Sequence, residues 1–309
     1  MLKIYSKNAN IVIYFCYNEN MKRETQERNI KIANDIMYYI YTHIDLNIDI
    51  EELSSMVHVS RFHMQRIFKE VFGRNIYETI KFIRLEKAAN LLLVNRLSTI
   101  SYIANQCGYT SQTSFIKAFK QRFLMTPTQW RLGGYKRYSH NILMQSVEAV
   151  HSDADFSTIE PKIVKQPEIR SYYIRHNGYN RSIKQSWQKL QAFVLSNGIE
   201  NYQQIGLYHD NPTIKPLDHC QYVACIATNR VIENTQLPQF KIADGVYAKF
   251  DIEGCYGDDL KFIHWVYNEW FPKNGYETTP KPSYAIYQRN GFLEDDGRFK
   301  MSYYVSIKI

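Results

Sequence analysis

The chain lacks most of what would mark an extracellular, metal-bound or catalytic protein. Its five cysteines (Cys16, Cys107, Cys220, Cys225, Cys255) are odd in number and form no Cys-x-x-Cys pair, which argues against a disulfide framework and a zinc finger. His219-Cys220 with Cys225 is the nearest approach to a metal cluster and reads as buried strand-end residues, so no metal and no cofactor are expected. No apolar run approaches the ~18 residues of a membrane span, so no membrane association and a cytoplasmic location are expected. No Ser-His-Asp or Cys-His set stands out, and no enzyme activity is expected. Acidic residues are missing from one long stretch, with none between Glu86 and Glu148.

What is present divides in two. At 309 residues and 45% hydrophobic content, two domains with real cores are expected. From Arg61 to Arg137 there are 14 Lys/Arg against 3 Asp/Glu, a local net of +11 in a chain of net +8. Residues 146–309 carry 18 Lys/Arg and 19 Asp/Glu. Phosphate neutralisation needs such an asymmetry. The second half has no electrostatic reason to touch nucleic acid.

Within the basic half, Ser60 reads as an N-cap. Met64, Ile67, Phe68 and Val71 follow at helical spacing on one face, and Phe62, Gln65, Arg66 and Lys69 lie on the other. Gln and Arg suit base edges, Lys suits phosphate, and an aromatic can meet a thymine methyl. An ordinary solvated face for Gln65 and Arg66, and a packed Phe62, stay open as alternatives. Upstream, Ile50 to Val57 predicts a short helix with Leu53, Met56 and Val57 inward, and His58-Val59 a tight turn. Short helix, turn and polar-fronted helix make a helix-turn-helix. The pattern recurs 51 residues later, with Ser111, Phe115, Lys117, Phe119 and Lys120 in the places of Ser60, Met64, Arg66, Phe68 and Lys69. Gly108 permits the positive φ of the second turn. Ile76 to Val94, free of Gly and Pro, predicts a helix long enough to space two recognition helices.

Arg28 to His43 predicts a first helix. Thr126 and Pro127 start a last short one through Trp130. Residues 133–157 are expected as a linker. Residues 1–27 are an extension open to two readings: Ile11 to Tyr17 is a strand, or the chain starts at Met21 and the rest is upstream.

Leu53, Val57-His58-Val59-Ser60, Gln65 to Lys69, Ile83 to Ala88, Ile103-Ala104, Gly108 to Ser111, Phe115, Ala118-Phe119-Lys120 and Thr126 to Arg131 together resemble the AraC/XylS family of transcription regulators. The resemblance covers about 100 residues, here assigned as a double helix-turn-helix domain at 28–132. It implies binding to double-stranded DNA, with Phe62, Gln65 and Arg66 reading one half-site and Gln112, Thr113 and Lys117 the other. Lys69 and Lys120 would serve the phosphates. Relatives often have Arg where Lys117 stands, and Lys lacks the bidentate fork.

The second half, 158–309, reads as two copies of strand, helix, strand, strand. The first has Ile169–Ile174, Arg181–Leu195, Gln204–Tyr208 and Gln221–Thr228; the second Gly245–Ile252, Asp258–Phe271, Ser283–Gln288 and Lys300–Ile309. The fold class expected is thus an all-α domain with two helix-turn-helix units followed by an α+β domain of two βαββ repeats, with a ligand cleft between the halves. Ile205 to Pro212, Cys220 to Cys225, Trp270 to Glu277 and Pro282 to Tyr287 resemble the GyrI-like small-molecule-binding domain. Members often bind lipophilic organic cations, and many place Glu where this chain has Ala285. With alanine there, a cation would rest on Trp187, Tyr208, Trp265, Trp270 or Tyr287, with Glu269 the nearest acid in sequence. Solvation of Glu269 and simple packing of Trp270 are the competing readings.

The resemblances imply a multidrug-sensing regulator, expected to be an activator, that binds a small hydrophobic effector and meets RNA polymerase. Two other readings remain. The second half could hydrolyse electrophiles, as some free-standing GyrI-like proteins do, although Ala285 removes an expected titratable group. It could instead bind a protein partner.

Overall fold

The structure, a computed structural model, describes residues 5–233, 235 and 237–308, with side chains from residue 24 onward. It divides into two compact units. One is built from residues up to His43 and from Ile48–Ile80; the other contains Ile44–Asn47, Lys81–Glu233 and the chain from Gln239 on.

In the first unit, α1 (Tyr5–Thr42) packs on α3 (Arg61–Phe72), with α2 (Ile50–Met56) preceding it. Asp49 caps α2 by accepting from the Glu51 N–H at 2.9 Å, and Ser60 caps α3 by accepting from the His63 N–H at 3.3 Å. Ala33, Ile36 and Ile40 of α1 join Leu53, Met64, Ile67 and Phe68 in the core, none more than 1% exposed. Burial of each large apolar side chain is worth about 1.5–3 kcal/mol. Two expectations change. Ile11 to Tyr17 is part of α1 and not a strand, the stretch from Tyr5 to Thr42 holding no Gly or Pro that would end a helix. Met56, expected inward, is 40% exposed, because the two-turn α2 buries only the face of Ile50, Leu53 and Ser54.

Helix α4 (Ile76–Val94) leads into the second unit. There α5 (Ile100–Gln106) and α6 (Gln112–Phe123), capped by Thr99 and Ser111, form the second helix-turn-helix around Ile103, Phe115, Phe119 and Phe123. A Thr126 capping box opens α7 (Pro127–Gln129), and the buried Trp130 donates its indole N–H to the Ala89 carbonyl at 2.9 Å. The stretch expected as a linker carries α8 (Tyr135–Leu143) and α9 (Val147–Val150), with Tyr135, Ser139, Ile142 and Ala149 buried.

The remaining chain makes an antiparallel sheet. Its strands are β1 (Lys162–Gln166), β2 (Ile169–Asn177), β3 (Gln203–Tyr208), β4 (Gln221–Ala227), β5 (Gln239–Ile242), β6 (Gly245–Cys255), β7 (Glu277–Thr278), β8 (Ser283–Arg289) and β9 (Arg298–Lys308). The order is β1-β6-β9-β8-β3-β4-β2-β5, with β7 paired to β9. Helix α10 (Ile183–Ser196) packs on β2 and β4. Helix α11 (Asp258–Trp265) packs on β6 and continues through a π-turn, Val266–Trp270, into α12 (Phe271–Asn274). Trp187 of α10 meets Tyr287, and Phe262 of α11 meets Tyr303, so both helices cover one sheet face.

Candidate nucleic-acid interface and effector site

The first recognition helix shows its polar front. Phe62 is 85% exposed, which removes the packed alternative. Arg66 is exposed with Nε 3.9 Å from the Glu70 carboxylate one turn on, and Lys69 is exposed. Gln65 is only half-exposed, and its Oε1 lies 3.5 Å from the Ile76 N–H at the start of α4. Freeing its amide for a base costs little at that distance. On α6, Gln112, Thr113, Lys117 and Lys120 are all exposed. Gln112 is held by the Ser101 hydroxyl, which donates to its Oε1 at 2.5 Å. Arg122 does not join this face. It turns inward over the Phe82 and Phe123 rings, its Nη2 3.4 Å from Glu86.

That inward turn belongs to a buried charge network. Lys215 Nζ lies 3.1 Å from Glu86 and 2.8 Å from Asp210, all three less than a tenth exposed. Asp210 also accepts the Gln221 N–H at 2.7 Å, where β4 begins. Burial pushes the Glu86 carboxyl up to about 7, with Lys215 and Arg122 opposing the shift. Neutral bonds surround the charges. Asn211 donates to Asn90 at 2.7 Å, and Asn95 and Thr278 exchange a pair of bonds at 2.8 and 2.9 Å. The second helix-turn-helix, through α4 and α6, is thereby joined to the β3–β4 loop of the sheet.

Two residues from this loop, the helix-covered face carries a tyrosine cluster. Tyr208 and Tyr287 hydroxyls are 3.4 Å apart, those of Tyr222 and Tyr287 3.2 Å, and those of Tyr179 and Tyr208 3.4 Å. Trp187 stands edge-on to Tyr287 at 5.8 Å. Beneath them Ala224, Gly206 and Ala285 lie side by side across β4, β3 and β8. A Cβ on Gly206 would come within 2.9 Å of Tyr222 and Tyr287, so small residues here are what admit the rings. The cluster contains one carboxylate that sequence reasoning did not single out. Asp259, buried at the start of α11, accepts from the Tyr179 hydroxyl and from the Gly257 and Leu260 N–H groups at 3.2 and 3.0 Å. Burial raises its pKa in spite of these bonds. Burial likewise holds Tyr179, Tyr208 and Tyr222 far above the ordinary phenol range.

The structure therefore brings Trp187, Tyr208 and Tyr287 together and keeps three other expected residues apart from them. Glu269 is exposed and pairs with Lys273 at 3.3 Å. Trp265 packs on Phe250 and Phe262; Trp270 is buried against Phe250 and Phe271 and stacks on Tyr276. The signal available for Asp259 was Gly257-Asp258-Asp259, a helix start, which reads first as capping.

Residues 53–133 match the helix-turn-helix domain family, and residues 159–308 match the GyrI-like small molecule binding domain. The probable transcription factor PqrA of Proteus vulgaris is 32% identical over 111 residues, 35% of this chain and 90% of that protein. The xylose operon regulatory protein of Escherichia coli is 36% identical over 95 residues, 31% of this chain but 24% of its own length, so this chain spans only part of that relative. A cryo-EM structure of an EcmrR–DNA complex is 15% identical, covering 84% of this chain and 98% of that one at a TM-score of 0.40. The chain belongs to the AraC/XylS-type transcription regulators, with a DNA-binding helix-turn-helix region followed by a C-terminal GyrI-like small-molecule-binding domain.

Proposed function

We propose that the chain is a transcription activator that reads DNA with Phe62, Gln65, Arg66 and Lys69 of α3 and with Gln112, Thr113, Lys117 and Lys120 of α6. Its C-terminal domain takes a lipophilic organic cation among Trp187, Tyr208, Tyr222 and Tyr287, with Asp259 as counter-ion. RNA polymerase is the partner through which activation acts. The observation that supports the ligand class is the buried Asp259 carboxylate inside an aromatic cluster. A buried charge without a cation is costly, and an organic cation gains from both the carboxylate and the ring faces. Occupancy would shift Tyr208 and Tyr222, which flank the loop carrying Asp210 and Lys215, and so bias the second helix-turn-helix. The function is regulatory and involves no turnover.

The test is tryptophan fluorescence of the full chain titrated with an aryl-substituted ammonium ion and its neutral carbon isostere. Preference for the cation is expected, falling at least tenfold in Asp259→Asn, which is about 1.4 kcal/mol or more. In the wild type the preference should fade as pH drops and Asp259 takes up a proton. The same raised pKa means that ionisation costs folded-state stability as pH rises, so Asp259→Asn should melt at or above the wild-type temperature at neutral pH. Equal affinity for ion and isostere in both proteins would remove the cation reading. No response to either would favour a protein partner for this domain.

A further inference from the structure

In each helix-turn-helix the second residue of the supporting helix meets the first residue of the recognition helix across the turn. In the first unit the pair is Glu51 of α2 and Arg61 of α3, an exposed ion pair with Oε1 2.6 Å from Nη1. In the second it is Ser101 of α5 and Gln112 of α6, with Oγ 2.5 Å from Oε1. The architecture repeats and the chemistry does not. A carboxylate holds a guanidinium by charge, whereas a hydroxyl holds one end of an amide. The 2.5 Å separation suits O–H···O and is too short for N–H···O, so the oxygen of Gln112, and not its nitrogen, meets Ser101. Gln112 is exposed at the start of α6, and its amide N–H groups are left to donate. Gln65 of α3 differs. Its Oε1 lies 3.5 Å from the Ile76 N–H, at the limit of a hydrogen bond, so its amide can turn at little cost.

We propose that Ser101 is a positioning residue that makes Gln112 a donor to base acceptors, and so directs it to guanine and away from adenine. The proposal rests on the reading above that Gln112 contacts a base edge, and it names the base. A free glutamine pairs with adenine by donating to N7 and accepting from the N6 amino group. Adenine would have to share the Gln112 oxygen with Ser101 or displace the hydroxyl, and either weakens the second bond. Guanine presents two acceptors, N7 and O6, and asks nothing of that oxygen. Cytosine is opposed for the same reason as adenine, since its N4 amino group is a donor. The loosely held Gln65 carries no such restriction, so the two units read with glutamines of different freedom.

The experiment is selection of bound sequences from a randomised duplex library by the full chain and by its Gln112→Ala, Ser101→Ala and Ser101→Thr variants. Gln112→Ala should flatten the preference at one base pair, which marks the position it reads. The wild type should take guanine over adenine there. Ser101→Ala should cut that ratio about fivefold, the worth of one hydrogen bond. Ser101→Thr keeps the hydroxyl and should hold the wild-type ratio. Positions read by α3 should not change, which a general loosening of the fold would not spare. Adenine at the Gln112-dependent pair in the wild type overturns the proposal, as does a ratio that Ser101→Ala leaves unchanged; in both cases Gln112 remains a reader. Should Gln112→Ala alter no position, or the library yield no enriched sequence, the reading role of Gln112 and the proposal fail together.

Discussion

The two helix-turn-helix units share a plan and differ in what their helices are tied to. In the first, the side chains of α3 find partners within its own unit: Arg66 with Glu70, Arg61 with Glu51, and Gln65 near the Ile76 N–H. In the second, α4 and α6 send Glu86 and Arg122 into a buried network with Lys215 and Asp210 of the sheet loop. Across the 51-residue repeat the inward positions Met64, Ile67 and Phe68 stay apolar as Phe115, Ala118 and Phe119, a basic front position is kept as Lys117, and Val71 is replaced by Arg122, the residue that enters the network. Under the proposed function, a ligand in the C-terminal domain would act through the unit with the buried network, since coupling needs contacts that differ between states, and the other would anchor on DNA independently of the ligand.

Lys215→Met should separate the two most sharply. It leaves Glu86 and Asp210 buried without their shared cation, and breaking one partner of a buried network costs about 3–5 kcal/mol. Denaturant unfolding of the full chain should show that loss in the second unit. Footprinting should then show the α6 half-site weakened and unresponsive to effector, while protection of the α3 half-site persists. Equal loss at both half-sites would mean that the units are not energetically distinct.

The reading faces should differ in kind. Arg66→Ala should lose about 1–3 kcal/mol of discrimination between cognate and scrambled DNA, since arginine can grip a guanine edge with two bonds. Lys117→Ala, at the matching place on α6, should lose less discrimination, since lysine lacks the bidentate fork, whereas Lys120→Ala should mainly lower the salt slope by about 1, as expected for a point charge near phosphate. Binding measured across a salt series on both DNAs separates these outcomes. Interchanged results would reverse the assignment of reader and clamp.

How much of this was legible in the sequence follows from range. Ser60, Ser111 and Thr126 cap where they were expected to, because a cap depends on the next three residues. The apolar faces of α3 and α6 were legible for the same reason. Glu86 and Lys215 are 129 positions apart, and no periodicity links them. Glu269 drew attention through adjacency to Trp270, yet a π-turn carries it outward, whereas Asp259 reaches the tyrosines through a helix start that looks like ordinary capping. The expected linker folded because Tyr135, Ser139 and Ile142 align on one face of α8, a pattern easily passed over after Gly133-Gly134.

The smallest contrast lies at the ends of the two recognition helices. Both close with a left-handed residue, Gly73 at φ 73° after α3 and Leu124 at φ 59° after α6. A side chain in that region costs about 1 kcal/mol, and glycine avoids it. The Leu124 side chain is 87% exposed, so its removal forfeits little burial. Leu124→Gly should therefore stabilise the second unit by up to about 1 kcal/mol. A Cβ at Gly73 meets nothing within 4 Å, so Gly73→Ala isolates the backbone term and should destabilise the first unit by about the same amount. Thermal melts of the two variants should move in opposite directions by a few degrees. A Leu124→Gly protein that melts lower than wild type would mean that the exposed leucine has a packing role, which would place a partner surface beside the reading face of α6.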